Sequence, residues 1–335
     1  MYKYAIIGFG GLGKLHLGNL LKLEKERGDI KLTAICGADP NAFTSNVKLN
    51  IGDVDISTVD FSSCGFYTDY KELIEKEKPD FIISTLPTYL HEEIAVYALN
   101  HGIHVFSEKP MALTESSCEN MINAANKNSR KLMIGQCLRF DPISREIKKY
   151  IDEETFGKAF RAEFSRYSQT PVWTWNNWIL DPEQSGGCIL DMHVHDVDLI
   201  NYYFGVPEAV DSVITEKKTK LESVFTRYFY KDLLVTASAD WAFPQTFPFE
   251  QRCIIHFKKA TVCVTNGKLT VYTDGEAITP KLSTDDYYIE EMRAFLSLAI
   301  DNKPCPITSP ESIFTSVKIA LKEEESATTG KKIQL

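Results

Sequence analysis

Residues 4–7, Tyr-Ala-Ile-Ile, run apolar into Gly8-Phe9-Gly10-Gly11-Leu12-Gly13 and leave through Lys14-Leu15-His16-Leu17-Gly18-Asn19-Leu20-Leu21. A short strand, a GxGxxG turn and an amphipathic helix in that order restrict the start of the chain to a βαβ unit, whereas the glycines alone would say little. Gly8 would make the tight turn, Gly10 would let backbone approach a pyrophosphate, and Gly13 would bring the helix close to the strand. The helix N-terminus offers unpaired N–H groups and a positive dipole end to phosphates. A glycine-rich turn without a ligand is the plain alternative; a bound dinucleotide is the working expectation.

The first 110 residues alternate β-rich runs with helical patterns, the signal of a parallel sheet with crossover helices. Strands are predicted at 3–7, 31–36, 80–85 and 104–106, and helices at 12–25, 70–77 and 91–100, the last stopped by Gly102. Residues 41–63, polar with two Asp-Val/Ile pairs, read as a loop-rich insertion. A chain of 335 residues exceeds what one core usually serves, so two domains are expected, 1–124 and 125–335. In the second, a strand near 131–136, a helix over 142–150, a strand over 159–167 and a helix over 189–204 precede strand-like runs from 209 to 273. Lys231-Asp232 and Asn266-Gly267 read there as turns, and Asn-Gly is the stronger hairpin signal. This half is predicted as an α+β domain on a large open antiparallel sheet, closed by helices at 288–300 and 310–326. Its exposed face or edges would need covering, which makes an oligomer plausible.

Composition narrows the function classes. A hydrophobic content of 44% with 25% charged residues is ordinary for a globular protein, and 37 basic against 46 acidic residues give a net charge of −9, which argues against a nucleic-acid surface. No apolar stretch reaches the about 18 residues that span a bilayer, and the first strand follows directly on the N-terminus, so a cytoplasmic protein without a membrane role is expected. The eight scattered cysteines read as reduced thiols and indicate neither a disulfide framework nor a zinc site.

In open α/β sheets ligands sit at the carboxyl ends of the strands. Leu86-Pro87-Thr88-Tyr89-Leu90-His91 follows the strand ending at Thr85, and Ser107-Glu108-Lys109-Pro110 follows the strand ending at Phe106. Lys109 could stabilise charge on a substrate oxygen, or be a solvated lysine. Asp191 and His195, four apart on a predicted helix, share a face, which Asp198 continues and His193 leaves. An Asp beside a His can supply a general base; a helix-start carboxylate and a structural histidine are the alternative. The diverging directions of His193 and His195 disfavour a shared metal. Trp173, Trp175 and Trp178 with Asn176 and Asn177 suit either sugar stacking or packing.

In these blocks and their order the chain resembles the Gfo/Idh/MocA oxidoreductases over nearly its whole length. The resemblance rests on GFGGLG, STLPTYLH (84–91), ALNHGIHVFSEKPMALT (98–114), IGQCLRFDP (134–142), SGGCILDMHVHDVDLINYYFG (185–205) and the ending EEESATTGKKIQL. It implies a doubly wound Rossmann domain with NAD or NADP on Gly8, Phe9, Gly10, Leu12, Gly13, Gly37, Ala38, Thr85, Pro87, His91, Glu108 and Lys109. It further implies hydride transfer at a hydroxyl or carbonyl carbon of a sugar or polyol, with Lys109, Asp191 and His195 catalytic. His195 would take the hydroxyl proton while Asp191 and Lys109 bind that oxygen. Gln136, Arg139 and Trp178 would meet the substrate, no metal is called for, and a homodimer or homotetramer would form through the C-terminal sheet. Two departures stand out. Gly37 occupies the position where many NAD-linked relatives carry an acid for the adenosine ribose, so the choice of NAD or NADP stays open. His193 stands where a small residue is common and could reshape the substrate pocket. A dinucleotide-dependent sensor and a glycoside hydrolase that recycles its nucleotide are the competing functions.

Overall fold

The computed structural model describes residues 1–39, 47–49, 52–217 and 219–335. It divides into two compact units, one of 1–112, 116–137 and 286–311, the other of 113–115, 138–285 and 312–335.

The first unit is built on a six-stranded parallel sheet. Its strands are β1 (Tyr2–Ile7), β2 (Ile30–Cys36), β5 (Gly65–Tyr67), β6 (Phe81–Ser84), β7 (His104–Glu108) and β8 (Leu132–Gly135), arranged β5-β2-β1-β6-β7-β8. A short hairpin, β3 (Val47–Leu49) and β4 (Gly52–Val54), lies apart from this sheet. The loop expected over 41–63 falls outside the described residues at 41–46 and 50–51. With the hairpin set aside the sheet order is 3-2-1-4-5-6, the dinucleotide-binding arrangement whose direction reverses beside β1. The helices are α1 (Gly11–Arg27), α2 (Tyr70–Glu77), α3 (His91–Asn100), α4 (Glu115–Lys127) and, much later in the chain, α8 (Tyr287–Ala299).

Two assignments from sequence change here. β8 is hydrogen-bonded to β7, and α8 packs Phe295 edge-on against Phe81 and Phe106, with centroids 5.7 and 5.6 Å away. A cut at 124 would sever both from the sheet they complete. Burial of apolar area across a sheet face, not order along the chain, decides which residues share a core.

The second unit carries nine strands in one sheet. These are β9 (Ala159–Gln169), β10 (Ala209–Thr215), β11 (Ser223–Phe229), β12 (Leu234–Phe243), β13 (Glu250–Phe257), β14 (Thr261–Thr265), β15 (Lys268–Tyr272), β16 (Ala277–Ile278) and β17 (Ile333–Gln334). The expected hairpins form. β11 and β12 pair antiparallel across Lys231-Asp232, and β14 and β15 across Asn266-Gly267, whose φ values of 46° and 76° are those a two-residue primed turn demands. One pairing departs from the antiparallel pattern: β12 lies parallel to β9, their connection being long enough to contain the helical segment and β10 and β11. Alternation is clean, with Val235, Ala237, Ala239 and Trp241 of β12 buried and their neighbours partly or wholly exposed. The helices of this unit are α5 (Pro142–Asp152), α6 (Pro182–Ser185), α7 (Val194–Phe204) and α9 (Pro310–Thr329). All eight cysteines are free thiols, five of them buried. Among the described residues no helix is long and apolar enough to cross a membrane.

His104, at the start of β7, accepts a hydrogen bond from the Lys131 N–H at Nδ1 (2.9 Å), which requires an unprotonated nitrogen. Burial, with Arg130 and Lys131 nearby, lowers its pKa from 6.5 to about 4. The unfolded chain therefore binds this proton first, so the stabilisation is complete above pH 6.5 and lost as pH falls towards 4. His104→Gln should flatten the fall in thermal stability over that window; identical slopes in both proteins would disprove the linkage.

Candidate functional site

The first unit gathers its candidate residues at the carboxyl ends of adjacent strands. At the end of β1, Gly8 has φ +96°, and a Cβ on it would lie 2.9 Å from the Thr85 backbone and hydroxyl. A Cβ on Gly13 would stand 2.1 Å from the Gly8 carbonyl oxygen, an impossible approach. Thr85 Oγ1 donates to that same carbonyl (2.5 Å), and Gly8 N–H bonds to Cys36 O (2.9 Å), so the turn is tied to β2 and to the end of β6. Gly10, by contrast, is exposed and has nothing within 4 Å of the position a Cβ would take.

Helix α1 begins at this open point without any side-chain cap and with no acidic residue in its first turn. The helices α2, α5 and α8 begin differently, each with an aspartate (Asp69, Asp141, Asp286) accepting an amide hydrogen. An uncapped N-terminus leaves amide donors and the positive end of the helix dipole for an anion, which is what a pyrophosphate requires. Phe9 is buried at the turn and Leu12 is half-buried. Beyond β2, Gly37 is fixed by its N–H to Tyr67 O (3.0 Å), and Ala38 and Asp39 are exposed. Lys14, which the sequence reading passed over, is buried with its ammonium 5.5 Å from the Phe9 ring centre; burial lowers its pKa, while the charge of Asp39 works in the opposite direction.

Thr85 and Pro87 are half-buried at the end of β6. His91 is buried, with Nδ1 2.8 Å from Pro110 O and Nε2 2.8 Å from Leu86 O, so the ring joins the loop after β6 to the loop after β7. Burial lowers its pKa and the two carbonyls oppose that shift. Glu108 turns its carboxylate away from the loop and into the fold. Its Oε1 lies 2.6 Å from Nε2 of the fully buried His16 in α1, and its Oε2 accepts the Lys109 N–H (3.2 Å). The side chain of Glu108 thus braces the backbone under Lys109, itself half-buried and followed by a cis proline. Gln136, at the end of β8, is buried, and its side-chain amide makes no hydrogen bond among the described residues.

In the second unit the run expected to be one helix over 189–204 is a π turn, Ile189–His193, followed by α7. A π turn widens the helix locally and recurs at functional sites. Across residues 185–200 only Asp191 and His195 reach the surface, both partly. Three neighbouring polar residues are buried in pairs instead. Asp196 takes a two-pronged bond from Arg166 (2.9 and 2.8 Å), and Asp198 takes one from Arg139 (2.8 and 2.7 Å) together with Ser316 Oγ (2.7 Å). His193 Nε2 lies 2.9 Å from Glu323 Oε2 of α9.

These pairs correct two expectations. Arg139 is buried, and its third nitrogen bonds Ser312 Oγ (2.8 Å). Turning to a substrate would strand buried Asp198, a loss of about 3–5 kcal/mol, against about 1.5–3 kcal/mol for a charged hydrogen bond to a ligand. Arg139 is a structural clamp. His193 is fully buried and faces the core rather than the surface. Asp198 likewise belongs to the core rather than to the Asp191/His195 surface. Trp178 is half-buried, while Trp173 and Trp175 are 54% and 65% exposed on one loop, with Asn176 and Asn177 in left-handed conformations.

Comparison with known proteins agrees with this architecture. Residues 2–136 match the model described as "Oxidoreductase family, NAD-binding Rossmann fold", and residues 144–263 match the GFO/IDH/MocA C-terminal domain. The chain belongs to the GFO/IDH/MocA family. Its relatives include a 2,7-anhydro-N-acetylneuraminate hydratase of Mediterraneibacter gnavus, 29% identical over 62% of this chain and 50% of that protein. An inositol 2-dehydrogenase/D-chiro-inositol 3-dehydrogenase of Lactiplantibacillus plantarum is 26% identical over 65% of this chain and 57% of that one. This GFO/IDH/MocA chain thus spans about half the length of the curated relatives it matches. In fold it is similar to levoglucosan dehydrogenase solved with NADH and levoglucosan, with TM-score 0.82 and 18% identity over 99% of both chains.

The Gly13 contact makes a direct expectation. Gly13→Ala should push α1 off the turn and weaken NADH binding at least about tenfold, a loss of about 1.4 kcal/mol, as measured by fluorescence titration. Unchanged binding would show that the turn does not hold the nucleotide.

Proposed function

We infer that this protein is an NAD(P)-dependent oxidoreductase acting on a CH–OH or carbonyl carbon of a sugar, polyol or similar small molecule. The observation that carries the reading is the uncapped start of α1 at the open Gly10 turn, in a chain of this family. Amides of the turn and of the first turn of α1 would hold the pyrophosphate; Thr85, Pro87 and Lys109 follow on the neighbouring strand ends. A nicotinamide dinucleotide, when bound, supplies the hydride acceptor or donor.

The chain's own residues do the rest. Lys109, braced from below by Glu108 and His16, donates to the substrate oxygen and favours negative charge there. His195 takes the proton of the hydroxyl in oxidation and returns it in reduction, with Asp191 orienting the ring or sharing the oxygen. Gln136 offers an amide to the same region of the first unit, and Trp178 a face for a sugar ring. Gly37 places no carboxylate against a 2′-phosphate and no arginine adjoins it, so both NAD and NADP are to be assayed.

The test is turnover of a panel of sugars, inositols and other polyols with NAD and NADP, followed by the absorbance of the reduced nicotinamide. Lys109→Ala and His195→Ala should each lower kcat by about 10²-fold or more; full activity in Lys109→Ala would remove it from the site. Conversion of an anhydrosugar or glycoside with no net change in nicotinamide would favour the recycling chemistry that the hydratase relative makes the second reading.

The outer face of the nine-stranded sheet carries Phe160, Val213, Phe225, Leu234 and Tyr272, each more than 40% exposed. We propose that a second copy of the chain covers it, since apolar residues spread over an open sheet mark an interface. Phe225→Glu with Val213→Glu should shift the sedimenting species to monomer; a parent protein that is already monomeric would refute the assembly.

A further inference from the structure

One buried polar cluster is left unused by the function just described. His193, the last residue of the π turn, is fully buried, and its Nε2 lies 2.9 Å from Glu323 Oε2 in α9. The same carboxylate oxygen accepts from Thr226 Oγ1 of β11 (3.0 Å), and Thr226 Oγ1 is 2.8 Å from Ser212 Oγ of β10. Tyr228 Oη, two residues along β11, stands 3.2 Å from His193 Nε2. One turn of helix further along α9, Ser326 Oγ accepts the Ser212 N–H (3.0 Å). Glu323 and Ser326 therefore fasten α9 to the inner face of the sheet, and Glu323 alone also fastens the π turn.

Such a cluster is expensive, because each buried polar group without a partner costs free energy comparable to a lost hydrogen bond, and His193 Nδ1 and Glu323 Oε1 make none among the described residues. A hydrophobic residue at 193 packed against one at 323 would fill the same space without directed bonds. What the polar pair adds is direction: one carboxylate oxygen stands 2.9 Å from His193 Nε2 of the turn and accepts from Thr226 of the sheet, which fixes the rotation of residues 189–193. Asp191 precedes His193 by two residues and His195 follows by two, and these are the residues of the run that reach the surface.

We propose that His193 and Glu323 are positioning residues, a clamp from α9 that sets the π turn so that Asp191 and His195 are presented together. The inference rests on the role given above to Asp191 and His195, and neither clamp residue touches the substrate. It assigns the position-193 departure from the family pattern a task, one that sequence comparison at that position alone would miss, since its partner lies 130 residues downstream.

Two variants test it. In Glu323→Gln the side chain keeps its size but loses the carboxylate that the turn and the sheet both address. Amide exchange over residues 189–195 should accelerate while that of the six-stranded sheet is unchanged. NADH affinity should stay within about twofold, and kcat should fall by about tenfold to a hundredfold, the scale of an ångström-sized misplacement of a catalytic group. The double variant His193→Leu/Glu323→Met replaces the pair by apolar groups, which recovers thermal stability where packing alone mattered and should leave kcat low. Recovery of both stability and kcat in the double variant would overturn the clamp, as would unchanged exchange and kcat in Glu323→Gln. If the parent protein turns over no substrate while exchange responds as expected, the catalytic reading of Asp191 and His195 fails and the clamp stands.

Discussion

The contact on which the first unit depends is between backbones. Gly13 approaches the carbonyl of Gly8 so closely that a single methyl group would occupy the position of another atom. That approach lets α1 leave β1 at once and leaves its first amides uncapped at the strand ends. Thr85 then closes the turn from β6 by bonding the Gly8 carbonyl. Every other candidate of this unit, from Pro87 to Lys109 and Gln136, takes its place from strands laid down in parallel beside β1.

The second unit solves a different problem. A helical run that crosses the inner face of a sheet carries two aspartates and a histidine that point inward, and each needs a partner to be buried. Arg139, Arg166 and Glu323 supply them from three different elements. These pairs are more costly to break than to replace as pairs, so their effect is to fix how the run is rotated. Asp191 and His195 are then partly exposed because their neighbours are fully engaged.

Much of this was legible in the chain itself. The predicted helices 70–77 and 91–100 coincide with α2 and α3, because amphipathic period and turn residues act locally. The Asn266-Gly267 hairpin follows from the two positive φ values its turn requires. β5 leaves little local signal, because the strand has only three residues. The membership of α8 in the first unit was hidden too, since Phe295 meets Phe81 and Phe106 across more than 180 residues of intervening chain.

The site shows the same division. The sequence by itself determined the glycine turn, the parallel order of the first unit, the Lys109 loop and the Asp191/His195 pair, because glycine stereochemistry, residue period and motif spacing are local properties. Only the tertiary structure decided that Arg139 and Asp198 neutralise each other in the core, that Glu108 turns under Lys109 to meet His16, and that His193 belongs to α9. Each of these depends on which charge meets which after folding, and burial makes that pairing obligatory without leaving a mark in the sequence around either partner.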